Sequence, residues 1–218
     1  MKFLVLISAL FLNACAEGNY KNYLRMYDIP PPTIKEFTHC YDYGCKTKTL
    51  ISLPNKTKNK LRKIFKNKSD TAEKERQKIS TAIQIFEKDI GNITNTENDK
   101  RGTFRLYQDK AETTKTFQQD CIDESTNTTI YIALLEELEL LQFHRVSFPA
   151  SRQPFLSGAP WWHQTAVIVN IETNEKYAVD SWFKDNGSPA YIVPYKEWKA
   201  GWLPSKPKAD KDLKGNID

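Results

Sequence analysis

The stretch Phe117-Gln118-Gln119-Asp120-Cys121-Ile122-Asp123-Glu124 decides how the chain is read, because it turns a polar segment into a buried helix that starts on a cysteine. Downstream, Ile130, Leu134, Leu138 and Leu141 recur at helical spacing, and Ile132 and Leu135 widen their stripe. This predicts a mostly buried helix from Cys121 to about Phe143. Three runs suited to strands follow, His144 to Phe148, Trp162 to Val169 and Tyr177 to Phe183. A loop from Pro149 to Pro160 separates the first two, and a turn from Asn170 to Lys176 joins the last two. A helix followed by a meander predicts an α+β domain.

Within that frame a cysteine nucleophile has what it needs: a helix N-terminus that favours thiolate, a histidine to move protons, and a carboxylate to orient the histidine. Cys121 opens the helix, His163 opens the second strand and Asp180 lies in the third. The midpoint between His163 and Asp180 falls inside the 170–176 turn, so a hairpin folded there sets the two side chains nearly opposite each other. Asp120, Asp123 and Glu124 suit the helix dipole, but their charge raises the thiol pKa and leaves the stabilisation of a thiolate to His163. Oxyanion donors are the Cys121 backbone N–H with Gln118 or Gln119, or an indole N–H of Trp161 or Trp162. Asn127 either lines a cleft with the polar run from Ser125 to Thr129 or hydrogen-bonds a neighbouring strand. His144 is the rival base, but it follows the helix directly and has no evident carboxylate partner.

The rest of the chain bounds this reading. At 218 residues it supports one core with extra arms, and 39% hydrophobic residues with 12% aromatics exclude a disordered chain. Eight glycines and no glycine-rich phosphate loop argue against nucleotide cradling, and the three His and four Cys lack zinc-finger spacing, so neither a cofactor nor a metal is expected. The net charge of +5 is local: nine Lys or Arg and no acid lie between Lys46 and Lys68. That run reads as a solvated face, or as contact with anionic lipid headgroups or cell-wall polymer, and not as a nucleic-acid site.

Met1-Lys2, the apolar run from Phe3 to Leu12 and the ending Asn13-Ala14-Cys15-Ala16 read as a signal peptide over residues 1–15. Leu12 to Cys15 resembles a bacterial lipobox with Cys15 as the lipidated residue, while Ala14-Cys15-Ala16 fits ordinary cleavage. Residues 16–116 are expected to form an N-terminal arm and helices packed on a core over 117–203, with a disordered tail over 204–218. In that arm a helix begins at Ser69 or Asp70, buries Ile79, Ile83, Phe86 and Ile90 and ends at Gly91, and a short strand is expected around Phe104 to Tyr107. In an exported protein thiols pair, and Cys40 and Cys45, with Gly44 to turn the chain, are expected to form a disulfide. With Cys15 lipidated or removed, Cys121 is left as the unpaired thiol.

The order Cys, His, Asp on a buried helix and two antiparallel strands resembles the core of transglutaminase-like proteins in the papain-like superfamily. The strings Asp120-Cys121-Ile122-Asp123-Glu124-Ser125-Thr126-Asn127, Trp162-His163-Gln164-Thr165-Ala166-Val167 and Tyr177-Ala178-Val179-Asp180-Ser181-Trp182-Phe183 also resemble a family of uncharacterised exported bacterial proteins. The resemblance covers about a third of the chain. It implies Cys121 as nucleophile, His163 as base and Asp180 as orienter. The residues themselves, apart from the resemblance, offer Gln119, Trp162 and Asn127 for substrate or oxyanion contact. It departs from active transglutaminases in the Ile and two acids that follow Cys121 and in the Ser-Trp that follows Asp180. The function expected is thiol-dependent amide hydrolysis or acyl transfer, acting on an envelope protein or a cell-wall peptide in the periplasm or at the cell surface, with the membrane reached through a lipid anchor. The alternative is a binding or scaffold lipoprotein that keeps the fold without turnover. A metal-dependent hydrolase built on Asp120, Asp123, Glu124 and His163 ranks below both.

Overall fold

The computed structural model describes residues 19–104, 117–157 and 161–205. The expected signal peptide, the lipidated Cys15, most of the strand expected at 104–107 and the tail beyond residue 205 lie outside these residues. The chain is a mixed α+β protein with antiparallel sheets. No helix among the described residues is long and apolar enough to cross a membrane.

Its centre is helix α4 (Cys121–Glu137), on which every residue from Asp123 to Leu135 is buried. Burial on all sides makes it the axis of the molecule, not an amphipathic surface helix. The polar run inside it survives because its hydroxyls are engaged. Thr126 and Thr129 donate back to the carbonyls of Ile122 and Ser125, Thr128 meets Ser181, and Ser125 and Thr126 meet the Tyr23 hydroxyl. The helix ends earlier than its apolar stripe suggests, because Glu139 takes a left-handed φ of 55° and turns the chain away.

One face of α4 packs on a sheet of β3 (His144–Val146), β4 (Ala150–Arg152), β5 (His163–Asn170), β6 (Lys176–Asp180) and β7 (Tyr191–Pro194). β5 is central. Along one edge it pairs with β3 near its end and with β4 near its start, and along the other it pairs with β6. β4 was hidden in the proline-containing loop, and the third predicted strand is shorter than expected because the chain turns after Asp180, where Lys184 N–H reaches Ser181 O.

The N-terminal part is more regular than its sequence suggests. Helix α1 (Tyr20–Arg25) and the hairpin of β1 (Phe37–Tyr41) and β2 (Thr47–Ile51) lie in the arm, and β1 packs on α4. Within the basic stretch, α2 (Asn55–Phe65) buries Thr57 and Leu61 and pairs Lys60 with Asp89 at 2.6 Å. Helix α3 (Ala72–Thr94) is capped by Thr71, not by Ser69 or Asp70, and runs through Gly91 to a left-handed Asn95. Gly91 is there for a close approach: a Cβ would stand 2.9 Å from Asn186 Nδ2 and 3.2 Å from the Glu97 backbone. Short helices α5 (Pro154–Ser157) and α6 (Tyr195–Lys199) complete the fold.

Candidate active site

Helix α4 begins on Cys121 because Asp120 caps it. The Asp120 carboxylate accepts from the N–H groups of Ile122 and Asp123, and Asp123 returns the bond to the Asp120 N–H, closing a capping box. Asp123 also accepts from Cys45 N–H at 2.6 Å, which ties the first turn of α4 to the tip of the β1–β2 hairpin. Cys40 and Cys45 are bonded to each other across that tip. Asp42, Tyr43, Gly44 and Cys45 are all left-handed there, a costly run for residues with a Cβ, and its docking on α4 holds it in place.

Cys121 is the one free cysteine among the described residues. Its sulfur lies against the backbone N–H of Gln164, the residue after His163. Burial first, then the charges of Asp120 and Asp180, push its pKa up to about 12, against the pull of the Gln164 and Cys121 N–H groups. The thiol is therefore protonated at neutral pH, and it is only 3% exposed. Tyr27 lies close enough to the sulfur to feel its charge.

His163 and Asp180 meet as His163 Nε2 to Asp180 Oδ2 at 2.8 Å, both buried. They are not directly opposite. The β5–β6 register pairs Ala166 with Val179, so the next step sets Asp180 across from Thr165, two residues from His163. The pair is a diagonal contact on one sheet face, within reach of long side chains. Trp198 Nε1, from α6, donates to the same Asp180 Oδ2 at 2.8 Å. The imidazole is boxed by Trp182, Phe183 and Trp198, with ring centroids at 4.7, 5.1 and 5.6 Å. His163 Nδ1 and Asp180 Oδ1 make no hydrogen bond, so the ring nitrogen turned away from the carboxylate is not bonded to the thiol.

The residues named for substrate or oxyanion contact fare differently. Asn127 is fully used in structure: its Oδ1 accepts from Cys40 N–H and its Nδ2 donates to Cys40 O and to Gln119 Oε1. That corrects the cleft reading of Asn127, while at Gln119 the bond engages the side-chain carbonyl oxygen and not the amide N–H groups that an oxyanion would need. Gln118 holds Lys100 N–H and Asn98 O. Trp162 is half-buried, whereas the indole N–H of Trp161 is buried and makes no hydrogen bond. His144 does have a carboxylate, contrary to expectation: Glu75 Oε1 from α3 sits 2.9 Å from its Nδ1.

The acids expected as possible metal ligands do not converge. Asp120 and Asp123 serve the cap, while Glu124 accepts from Ser181 Oγ and is hydrogen-bonded to the Asp99 carboxyl. No group of three or more His, Cys, Asp or Glu among the described residues is arranged to hold a metal ion. Burial first, then the Glu124 charge, raises Asp99 to about 9, and burial raises Glu124 to about 7, with Asp180 adding to it. Glu87 is pushed well up by burial and by Glu124. Three carboxyls with raised pKa values, Glu87, Asp99 and Glu124, therefore cluster at the first turns of α4.

Sequence reasoning missed Trp198, Arg152, Gln164, Ser181 and Tyr23. Only Ser181 carried a local signal, standing next to Asp180. Comparisons with known protein families, with curated proteins and with solved structures find no match to this chain.

Proposed function

We propose that the protein is a thiol-dependent amide hydrolase or acyl transferase in which Cys121 is the nucleophile, His163 the base and Asp180 the orienter. The observation that carries this reading is the His163–Asp180 pair: the carboxylate takes Nε2 and leaves Nδ1 open, while the backbone N–H of the following residue, Gln164, meets the sulfur of the only free thiol described. Because the thiol is raised to about 12, the chemistry is general-base catalysis, not attack by a standing thiolate. His163 Nδ1 takes the thiol proton as sulfur bonds to the amide carbonyl carbon. The C–N bond then breaks, the imidazolium returns the proton to the leaving amine, and water or a second amine resolves the thioester. The Cys121 N–H at the helix start and the indole N–H of Trp161 are donors for the developing oxyanion. We assign the fold to the transglutaminase-like group on the chain order of these residues. The substrate is an amide in an envelope protein or cell-wall peptide, with the protein held at the membrane through Cys15.

A second reading, a scaffold that keeps the fold without turnover, is favoured by the burial of Cys121 and by the acids that raise its pKa. The two separate on Cys121→Ala. Loss of amide-bond cleavage in envelope extracts by a folded variant supports the enzyme, and an unchanged cellular phenotype supports the scaffold.

A further inference from the structure

Arg152 is among the largest fully buried side chains, with none of its surface exposed, and it has no carboxylate within ion-pair distance among the described residues. A buried cation without such a partner is costly, so its surroundings must compensate it. Three features do so. Its Nη1 donates to the carbonyls of Trp198 and Trp202 at 2.7 and 2.8 Å. Its guanidinium lies 4.6 Å from the centre of the Trp198 ring, a cation–π contact. Burial lowers its pKa, and Asp180 is the charge that raises it again.

The same residues are already on the page as the support of the candidate base. Arg152 is the cross-strand partner of His163 in the β4–β5 register. Trp198, on which it stacks, donates to the Asp180 oxygen that holds His163. Arg152 Nε and Nη2 make no hydrogen bond, and neither does Asp180 Oδ1, so no direct bridge joins the two groups. The guanidinium acts on the carboxylate through space and through the Trp198 ring. Being fully buried, it reaches no substrate.

Resting on the catalytic reading above, we propose that Arg152 is a positioning residue that fixes Trp198 against Asp180 and offsets the Asp180 charge felt by His163 and Cys121. Without the cation, the buried Asp180 charge would act unopposed, favouring positive charge on the neighbouring imidazole and repelling a forming thiolate. The charged and titratable groups around the pair are Asp180 from β6, Arg152 from β4, and Cys121, Asp120 and Glu124 from α4; α6 contributes the uncharged Trp198.

The test is an NMR titration of the His163 ring in Arg152→Met and Arg152→Lys, with iodoacetamide labelling of Cys121 on the same samples. Removing the charge should move the His163 midpoint up by about one pH unit and slow labelling at pH 7.5 about tenfold. Lys keeps the charge and should hold the midpoint within about 0.3 units of the wild-type value. An unmoved midpoint in folded Arg152→Met overturns the proposal, as does a Lys variant that shifts as far as Met. If Met fails to fold, the Lys variant decides, and failure of both to fold overturns the proposal in favour of a purely architectural clamp. The midpoint reads the electrostatics whether or not the protein is an enzyme. A shifted midpoint with unchanged labelling would therefore sink the catalytic reading and leave the Arg152–Asp180–His163 coupling standing.

Discussion

Among the described residues, two buried His–carboxylate pairs stand at opposite ends of β5, one on the neighbouring β3 and one on β5 itself, and they are built for different ends. His144, across from Asn170 near the finish of β5, binds Glu75; His163, at its start, binds Asp180. The contacts are nearly equal, 2.9 and 2.8 Å, and both histidines are fully shielded. Glu75 is saturated: it also accepts from the backbone N–H groups of Gln142, Phe143 and His144, while Arg76 stands 3.4 Å from the other ring nitrogen of His144. At His163 the second ring nitrogen and the second carboxylate oxygen are left over. A His–carboxylate distance therefore says little about function, and the valence that stays open says more.

The largest effect expected on that contrast is in stability. Glu75→Ala leaves the buried His144 ring and its N–H without their acceptor and frees the N–H groups of Gln142 and Phe143, and should cost about 3 kcal/mol in urea unfolding. The folded fraction should label at Cys121 at the wild-type rate. Asp180→Asn keeps the shape and should cost only about 1 kcal/mol, but slow Cys121 labelling about tenfold. If both variants lose stability and neither changes labelling, the contrast between the two ends collapses.

Opening the disulfide sharpens the same contrast, because the Cys40–Cys45 loop braces only the Cys121 end through Asp123. Cys40→Ser with Cys45→Ser should lower stability by about 2 kcal/mol. Hydrogen exchange should quicken in the first turn of α4 and stay unchanged around Glu75.

A smaller effect separates the two ends by pH. Glu75 is lowered overall: burial pushes it up, but the bonds from His144 and the backbone outweigh burial. A lowered carboxyl stabilises above its unfolded value of 4.5, and that contribution fades as pH falls through its folded value. Asp99 has the opposite sign. Raised from 3.8 to about 9, it contributes fully below 3.8 and loses that contribution as pH rises toward 9. Glu124, raised from 4.5 to about 7, does the same over a narrower window. Urea midpoints should fall on both sides of mildly acidic pH. Glu75→Gln should flatten the acid limb and Asp99→Asn the alkaline limb, and the reverse assignment would break the account.

Much of the Cys121 end was legible because its cues are local. Capping chemistry at Asp120 places the helix start on Cys121, and strand alternation around a polar turn brings His163 to Asp180, with the cross-strand partner displaced by two residues. What was not legible comes from far along the chain. Glu75 reaches His144 from 69 residues away, and Trp198 reaches Asp180 from a helix of five residues. Arg152 sat in a stretch whose prolines read as loop, although three of its residues pair with β5. Asn127 was visible as polar in an apolar helix, but only the fold shows that its amide clamps the Cys40 backbone. Gly91 looked like a helix end because a close approach by Asn186 leaves no mark in the sequence.

The central claim is that His163 serves the Cys121 sulfur, and the direct measurement is the rate of iodoacetamide alkylation of Cys121 from pH 6 to 9 in the wild type and in His163→Ala. The account predicts that the folded variant labels at least about tenfold more slowly at pH 7.5, while His144→Ala matches the wild type at that residue. Equal rates in wild type and His163→Ala would contradict it and leave Cys121 an ordinary buried thiol.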